Sequence, residues 1–433
     1  MKPFGGQLRW ALILYVFLIS AMSYLDRVNL SIAGPTIQKE FGLTNVQLGY
    51  VFSALIWGYA LFQAPGGRLA DLFGPRRVLT FGILWWSFFT ALTALVPPDI
   101  ASAMFLLILV RFLLGSGEAV MFPASNRLVA SWIPTGERGI ANGIVFGGVG
   151  AGSALAPPLI TWIIANWGWR WSFYLRVPIG IVMALVWYLL ARDTPRGHPW
   201  ASKKEVDRIE AGIPAGARGA APGTVASWRT IFGNKDILFV TLSYFAFGYT
   251  AWIFFTWFYK YLKDVRGLDL KASAFYSMLP FLGMTLCSPL GGWISDILTK
   301  HFGRRVGRCG VGVAGLAGAA VFITLGTQAE HAQLASIFLA LGIGSLYLAQ
   351  SSYWAVTADI AGRSAGSVSG LMNMGAQIAG AITAILTPWI AQEFGWTASF
   401  LAAAGLCAVG ALAWLLVDPN VRLEPERNLM PGA

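Results

Sequence analysis

Charge is what this chain has least of. Charged residues make up 12% of its 433 residues, about half the share of an ordinary soluble protein. So few cannot cover a soluble surface of that length, and a soluble globular fold is excluded. Cysteine and histidine are scarce too, at three each. Cys287, Cys309 and Cys407 fall in or at the end of apolar stretches, which excludes a disulfide framework. His198, His301 and His331 are scattered among loops and helix ends, so no metal site is expected. No catalytic constellation is present either, and the chain does not read as an enzyme.

What is abundant is apolar. Hydrophobic residues reach 56%, with 19 Trp and 28 Phe, and the mean hydropathy is +0.62. Windows of about 20 residues pick out spans near 9–31, 46–66, 78–96, 101–132, 140–165 and 172–191. Six more follow near 236–262, 274–294, 309–327, 333–356, 366–390 and 397–417. The expected fold is an all-α integral membrane protein with twelve transmembrane helices in two six-helix bundles. Residues 1–191 form the first bundle and 236–417 the second. A polar linker, 192–235, joins them, with one surface helix near 201–211, and 418–433 is a tail. The first span runs past the 7–15 residues of a signal-peptide core, so it reads as a helix.

The net charge of +11 could indicate nucleic acid, but its placement does not. Basic residues crowd one side of the layout, including Arg68, Arg127, the linker and Arg304, Arg305 and Arg308. The other side holds a smaller set that includes Lys39, Arg170 and Arg176. The bias towards the side of the termini puts both termini and the linker in the cytoplasm. The partners expected are the lipid bilayer and a small-molecule substrate, with no nucleic acid and a monomeric protein.

A repeat organises the chain. "GGRLADLFGPRR" begins at Gly66 and "GGWISDILTKHFGRR" at Gly291. Gly67 and Asp71 match Gly292 and Asp296, each displaced by 225 residues. Arg138 in "PTGERG" and Arg363 in "IAGRSAG" share the same offset of 225. Two landmarks at one offset imply parallel repeats, a transporter architecture with the substrate held between halves. Gly67, Asp71, Arg76, Arg77, Arg138, Asp296 and Arg363 then read as a gating set, latching the cytoplasmic end through ion pairs.

The strings that carry this repeat resemble the signature of the major facilitator superfamily. "YLDRVNLS", "RFLLGSGEAVMFPASNRLVASW", "DTPRGHPW" and "FFTW" look more narrowly like the anion:cation symporters. That family includes bacterial hexuronate, glucarate and galactonate permeases, sialin and the vesicular glutamate transporters. The resemblance spans nearly the whole chain.

Four charged residues stand inside apolar spans: Asp26, Arg27, Arg111 and Glu118. An ionised group at a helix centre costs at least ~2.5 kcal/mol on insertion scales, so such residues are functional by default. Arginine offers a planar fork that matches a carboxylate. A buried acid feels desolvation and a neighbouring arginine in opposition, which can bring proton binding into the physiological range. An acid that pairs with arginine when the site is empty, and takes a proton when substrate claims that arginine, couples the two fluxes. The resemblance implies the same roles: Arg27 binds the substrate carboxylate, Asp26 and Glu118 carry protons, and Arg111 partners Glu118. Protons are the coupling ion, and no cofactor is expected.

The second half has no matching charges. Tyr249, Trp252 and Thr256, then Tyr347, Gln350, Ser351 and Trp354, offer neutral polar and aromatic groups. Asn373 pairs with Gln377 one turn on, as Tyr59 does with Gln63. The resemblance ranks Tyr24, Tyr59, Ser351, Trp354 and Asn373 first among cavity-lining positions. "FGGVGAGSALAPP" reads as close helix packing. The expected function is proton-coupled uptake of a small organic anion, most simply a sugar acid (hexuronate, aldonate or aldarate), by alternating access. A uniporter or exchanger of aromatic or dicarboxylic acids is the alternative, and a non-transporting sensor a more distant one.

Overall fold

The computed structural model describes residues 7–213, 225–258, 261–268 and 270–423, and among these no strand occurs. The first half comprises α1 (Leu8–Phe41), α2 (Asn45–Phe73), α3 (Pro75–Leu95), α4 (Ala103–Glu118) and α5 (Met121–Trp132). It continues with α6 (Arg138–Trp167), a single turn α7 (Trp171–Tyr174) and α8 (Arg176–Leu190). Two short helices, α9 (Lys203–Gly212) and α10 (Trp228–Gly233), lie in the linker. The second half holds α11 (Lys235–Thr256), α12 (Leu270–Arg304) and α13 (Val311–Gln328). It ends with α14 (Ala332–Ala361), α15 (Ala365–Phe394) and α16 (Trp396–Leu415). Residues 214–224 of the expected linker and 424–433 of the expected tail lie outside the described residues.

Nine stretches of the described residues are long and apolar enough to cross a membrane. Two of them, Phe275–Gln328 and Ala332–Phe394, each join two helices of 18 residues or more. Large apolar side chains face outward, with Leu286 69% and Ile385 76% exposed. An apolar exterior of this extent needs lipid, not water.

Local sequence sets the helix ends. Gly42, at φ 62°, closes α1, and its N–H bonds the Gln38 carbonyl. Asp26 and Arg27 therefore sit near the middle of a 34-residue helix, not near the end of a shorter one. Thr44 and Gln47 form a reciprocal capping box at the start of α2, satisfying two backbone donors. The unbroken helix expected over 101–132 is interrupted between Glu118 and Met121. Pro123, in the first turn of α5, cannot donate to the Ala119 carbonyl and its ring crowds it.

The halves meet along α2 with α15 and α6 with α12. At both places backbone touches backbone. A Cβ on Gly67 would lie 1.9 Å from the Gly366 carbonyl oxygen, and one on Gly292 would lie 2.2 Å from that of Gly139. Any side chain at these positions would push the halves apart.

Candidate functional site

Between the halves is a cavity of about 330 Å³. The first half contributes Tyr24, Arg27, Tyr59 and Arg111, together with Phe122 and Phe146. The second half contributes Tyr244, Phe247, Trp252, Tyr347, Gln350, Asn373 and Gln377. Among the described residues, all the formal charge on its wall thus comes from one half.

Arg27 is the best-held of these groups. Its guanidinium lies 3.8 Å over the Tyr59 ring and 4.8 Å from the Tyr24 ring, where cation–π attraction favours it. Its Nε donates to Glu118 Oε2 at 3.0 Å. Glu118 is completely buried, and its second oxygen has no partner. Nη2 of Arg27 is likewise buried and unpartnered. A buried N–H left without an acceptor costs on the order of 1–3 kcal/mol.

Arg111, which the resemblance partners with Glu118, has no hydrogen bond or ion pair to it among the described residues, and the two act on each other through space. Arg111 lines the cavity at 2% exposure with Nε buried and unpartnered. Glu118 is taken by Arg27 instead. Asp26 also stands apart from the cavity wall. It forms an ion pair with Arg176 of α8, whose Nη2 also donates to the Leu25 carbonyl at 3.0 Å.

Arg176 is a site residue that the sequence reading did not single out. It counts there among the basic residues of the side opposite the termini, and its side chain is 5% exposed and sits against α1. The reason is that α7 is only a single turn and α8 starts at Arg176 itself, which draws this arginine inward beside Asp26. "FYLRVPIG", an arginine flanked by apolar and aromatic residues, was the available signal.

Two other expected lining residues are displaced from the wall. Ser351 donates to the Ser288 carbonyl at 2.8 Å, and the indole N–H of Trp354 donates to Tyr244 Oη at 3.1 Å. Trp354 stacks under the cavity, its ring centroid 4.9 Å from that of Phe146 and 5.9 Å from that of Phe122. Asn373 does line the cavity and bonds Gln63 of the other half at 2.9 Å.

Below this floor the halves are latched at the end from which the linker leaves. Asp71 accepts from the backbone N–H of Gly366 at 3.0 Å and of Ser367 at 2.7 Å, and from the Ser367 hydroxyl at 2.6 Å. Asp296 accepts from the N–H of Gly139 at 3.0 Å and of Ile140 at 2.7 Å. Each acid therefore caps a helix N-terminus of the opposite half, where unpaired N–H groups and the helix dipole favour a negative charge. Arg127 lies 3.5 Å from Asp71, and Arg308 donates to Asp296 at 2.6 Å. Arg138 bridges to Asp359 across the halves at 2.6 Å.

The expected gating residues divide accordingly. Gly67, Asp71, Arg138 and Asp296 meet the opposite half. Arg76 stays within its own half, donating to the Tyr188 carbonyl at 2.8 Å. Arg77 is exposed, and Arg363 makes no ion pair among the described residues. Arg127, Arg308 and Asp359 were not anticipated as latch residues, because the acids' principal targets are backbone N–H groups that no spacing of charges reveals.

The family model described as Major Facilitator Superfamily matches residues 16–384 and 366–430. The chain is 36% identical to a probable sulfoacetate transporter of Cupriavidus necator, over 93% of this chain and 92% of that one. It is 30% identical to a D-galactonate transporter of Escherichia coli, over 97% of each. Its fold matches that of a proton:xylose symporter with a TM-score of 0.76 at 16% identity, covering 97% of this chain and 98% of that one.

Proposed function

Because this chain belongs to the major facilitator superfamily and its relatives carry organic anions, we propose that it takes up a small organic anion together with protons, by alternating access. A sugar acid is the preferred substrate class. The observation that carries the proposal is the Arg27–Glu118 pair: a completely buried carboxylate whose arginine faces the cavity with a spare N–H.

The mechanism follows from competition for Arg27. In the empty site Glu118 shares it. An incoming carboxylate takes the guanidinium fork, and Glu118, stripped of its partner in a dry site, is neutralised by a proton. Substrate and proton then cross together. Asp26 is the second proton-linked acid of the proposal, acting through Arg176. The halves rock about the cavity, breaking the Asp71 and Asp296 caps and closing the opposite end.

Taking the latched end as cytoplasmic, the arrangement captured here is open outward. That orientation rests on the basic linker and on the crowding of Arg68, Arg127 and Arg308 at the same end. The site belongs to a twelve-helix monomer in the bacterial cytoplasmic membrane, with both termini inside. Residues 1–191 and 236–417 are its two moving units.

Proteoliposome uptake driven by a pH jump tests this reading. A sugar acid should accumulate only with an inward proton gradient. Glu118→Gln should abolish gradient-driven accumulation and retain exchange. Gradient-independent uptake that survives Glu118→Gln would leave a uniporter or exchanger instead.

A further inference from the structure

Three arginines, not two, stand around the cavity and Asp26: Arg111 and Arg176, both buried, and the partly buried Arg27. Only two carboxylates accompany them, Asp26 and Glu118. Each carboxylate is bound to a different arginine, Asp26 to Arg176 and Glu118 to Arg27. Arg111 is left over. It is 2% exposed, lines the cavity, and has neither a hydrogen bond nor an ion pair among the described residues. A guanidinium in a dry site is costly without a bonded anion, and among the described residues Asp26 and Glu118 act on Arg111 only through space, each being bonded to another arginine.

We propose that Arg176, by binding Asp26, keeps that carboxylate from bonding to Arg111, so that the cavity presents two guanidiniums, Arg27 and Arg111, and selects substrates carrying two anionic groups over those carrying one. The inference rests on the reading of this cavity as an organic-anion site and narrows it. With both carboxylates ionised the five groups sum to one positive charge. A proton on Glu118 raises that to two, which a dianion neutralises and a monoanion does not. The wall facing the arginines is uncharged, made of Tyr244, Phe247, Trp252, Tyr347, Gln350 and Gln377, so nothing on it repels a second carboxylate or sulfonate.

Arg176 is then a positioning residue that never touches substrate. Without it, Asp26 would be a buried carboxylate in need of a partner. Arg111, which already acts on Asp26 through space, has no bonded acid of its own among the described residues, and once engaged it would be lost to the substrate.

The test is calorimetric binding to the purified full-length protein in lipid nanodiscs, using two matched pairs of probes. Galactarate and galactonate share a six-carbon chain and differ in whether one end is a carboxylate or a CH₂OH. Sulfoacetate and isethionate (2-hydroxyethanesulfonate) make the same comparison in a short molecule. In the wild type the dianion of whichever pair binds should be favoured about tenfold or more, the value of one added charge-assisted contact. Arg111→Gln should collapse that ratio towards one, weakening the dianion far more than the monoanion. Arg176→Gln should collapse it as well, although it alters no cavity-lining residue. Adding Asp26→Asn to Arg176→Gln should restore the ratio, because a neutral side chain no longer competes for Arg111.

A wild-type ratio near one, with the monoanion bound, would overturn the inference and leave the organic-anion reading standing. A ratio unchanged in Arg176→Gln would overturn the positioning role. Should that single variant fail to fold, the Arg176→Gln/Asp26→Asn double variant and Arg111→Gln still decide the case. Failure of all four probes to bind would remove the organic-anion reading and this inference with it.

Discussion

Asp26 and Arg27 are adjacent in the chain, yet they turn to different partners on different helices. Asp26 pairs with Arg176 on α8, and Arg27 reaches Glu118 on α4 at 3.0 Å. Successive residues on an α-helix point about 100° apart, so one side chain enters the cavity while its neighbour faces the bundle. The same dipeptide thereby supplies a substrate anchor and a tie between α1 and α8. A second tie, from Asn29 to the Ser172 carbonyl at 3.4 Å, lies one turn further along.

Arg27→Lys should therefore be far from conservative. Lysine keeps the charge but loses the fork that serves Glu118 and an incoming anion together, and it loses the flat contact with the Tyr59 ring. The half-saturating substrate concentration in proteoliposome uptake should rise roughly tenfold or more, the cost of one charge-assisted contact of about 1.5–3 kcal/mol. An unchanged value would mean that point charge alone, and not planar geometry, holds the substrate.

Ser351 and Trp354 give a contrasting pair. Ser351 bonds a backbone carbonyl of α12, so Ser351→Ala should cost about 1 kcal/mol of stability and leave the half-saturating concentration within twofold. Trp354→Ala removes a fully buried indole from beneath the cavity. It should cost about 3–5 kcal/mol and reduce transport through a loosened floor. Thermal unfolding monitored alongside uptake separates the two effects. A tenfold loss of affinity in Ser351→Ala would return this residue to the binding site.

Much of this was legible in the sequence. The lengths of the apolar runs and the exact 225-residue spacing of Gly67 and Asp71 with Gly292 and Asp296 imply two like halves. Arg27 and Glu118 announce themselves because charge in an apolar run is rare. What escaped has a common physical cause: it depends on partners distant in sequence. Arg176 looked like a helix-end cation, because hydropathy does not report that α7 is a single turn. Asp71 and Asp296 looked like halves of ion pairs, whereas they mainly cap helix N-termini in the other half. Arg111 looked paired to Glu118 from seven residues away, but a longer-range neighbour, Arg27, won that carboxylate.

His198 provides a pH-dependent prediction in the linker. Its Nδ1 accepts from the Trp200 N–H at 3.0 Å, so Nε2 must carry the proton donated to the Leu190 carbonyl at 2.7 Å. This neutral form fits both partners, and burial holds the pKa below its ordinary value of 6.5. The folded linker thus binds fewer protons than the unfolded one. Its docking is complete above the ordinary histidine pKa and weakens as pH falls through that range. Hydrogen exchange of residues 192–202, corrected for intrinsic rates, should accelerate between pH 7.5 and 5.5 in the wild type. The same comparison in His198→Gln should show no such change.

The latch offers the most direct handle on the rocking motion. Gly67 meets the Gly366 carbonyl so closely that an added Cβ would lie 1.9 Å from its oxygen, while Asp71, one turn along, accepts the N–H groups of Gly366 and Ser367. The glycine permits the approach that the acid then secures. Gly67→Val should prevent closure of this end even though Asp71 remains, because the obstacle is backbone and cannot swing aside. Asp71→Asn should weaken closure more mildly, since the amide keeps one acceptor and loses the charge that favours a helix N-terminus. A cysteine placed at Ser364, 2% exposed beside the latch, reports the difference when Cys287, Cys309 and Cys407 are replaced by alanine. Alkylation from the linker side should be slow with Gly67, faster with Asp71→Asn, and fastest with Gly67→Val. Equal rates in all three would show that these contacts do not hold the end shut.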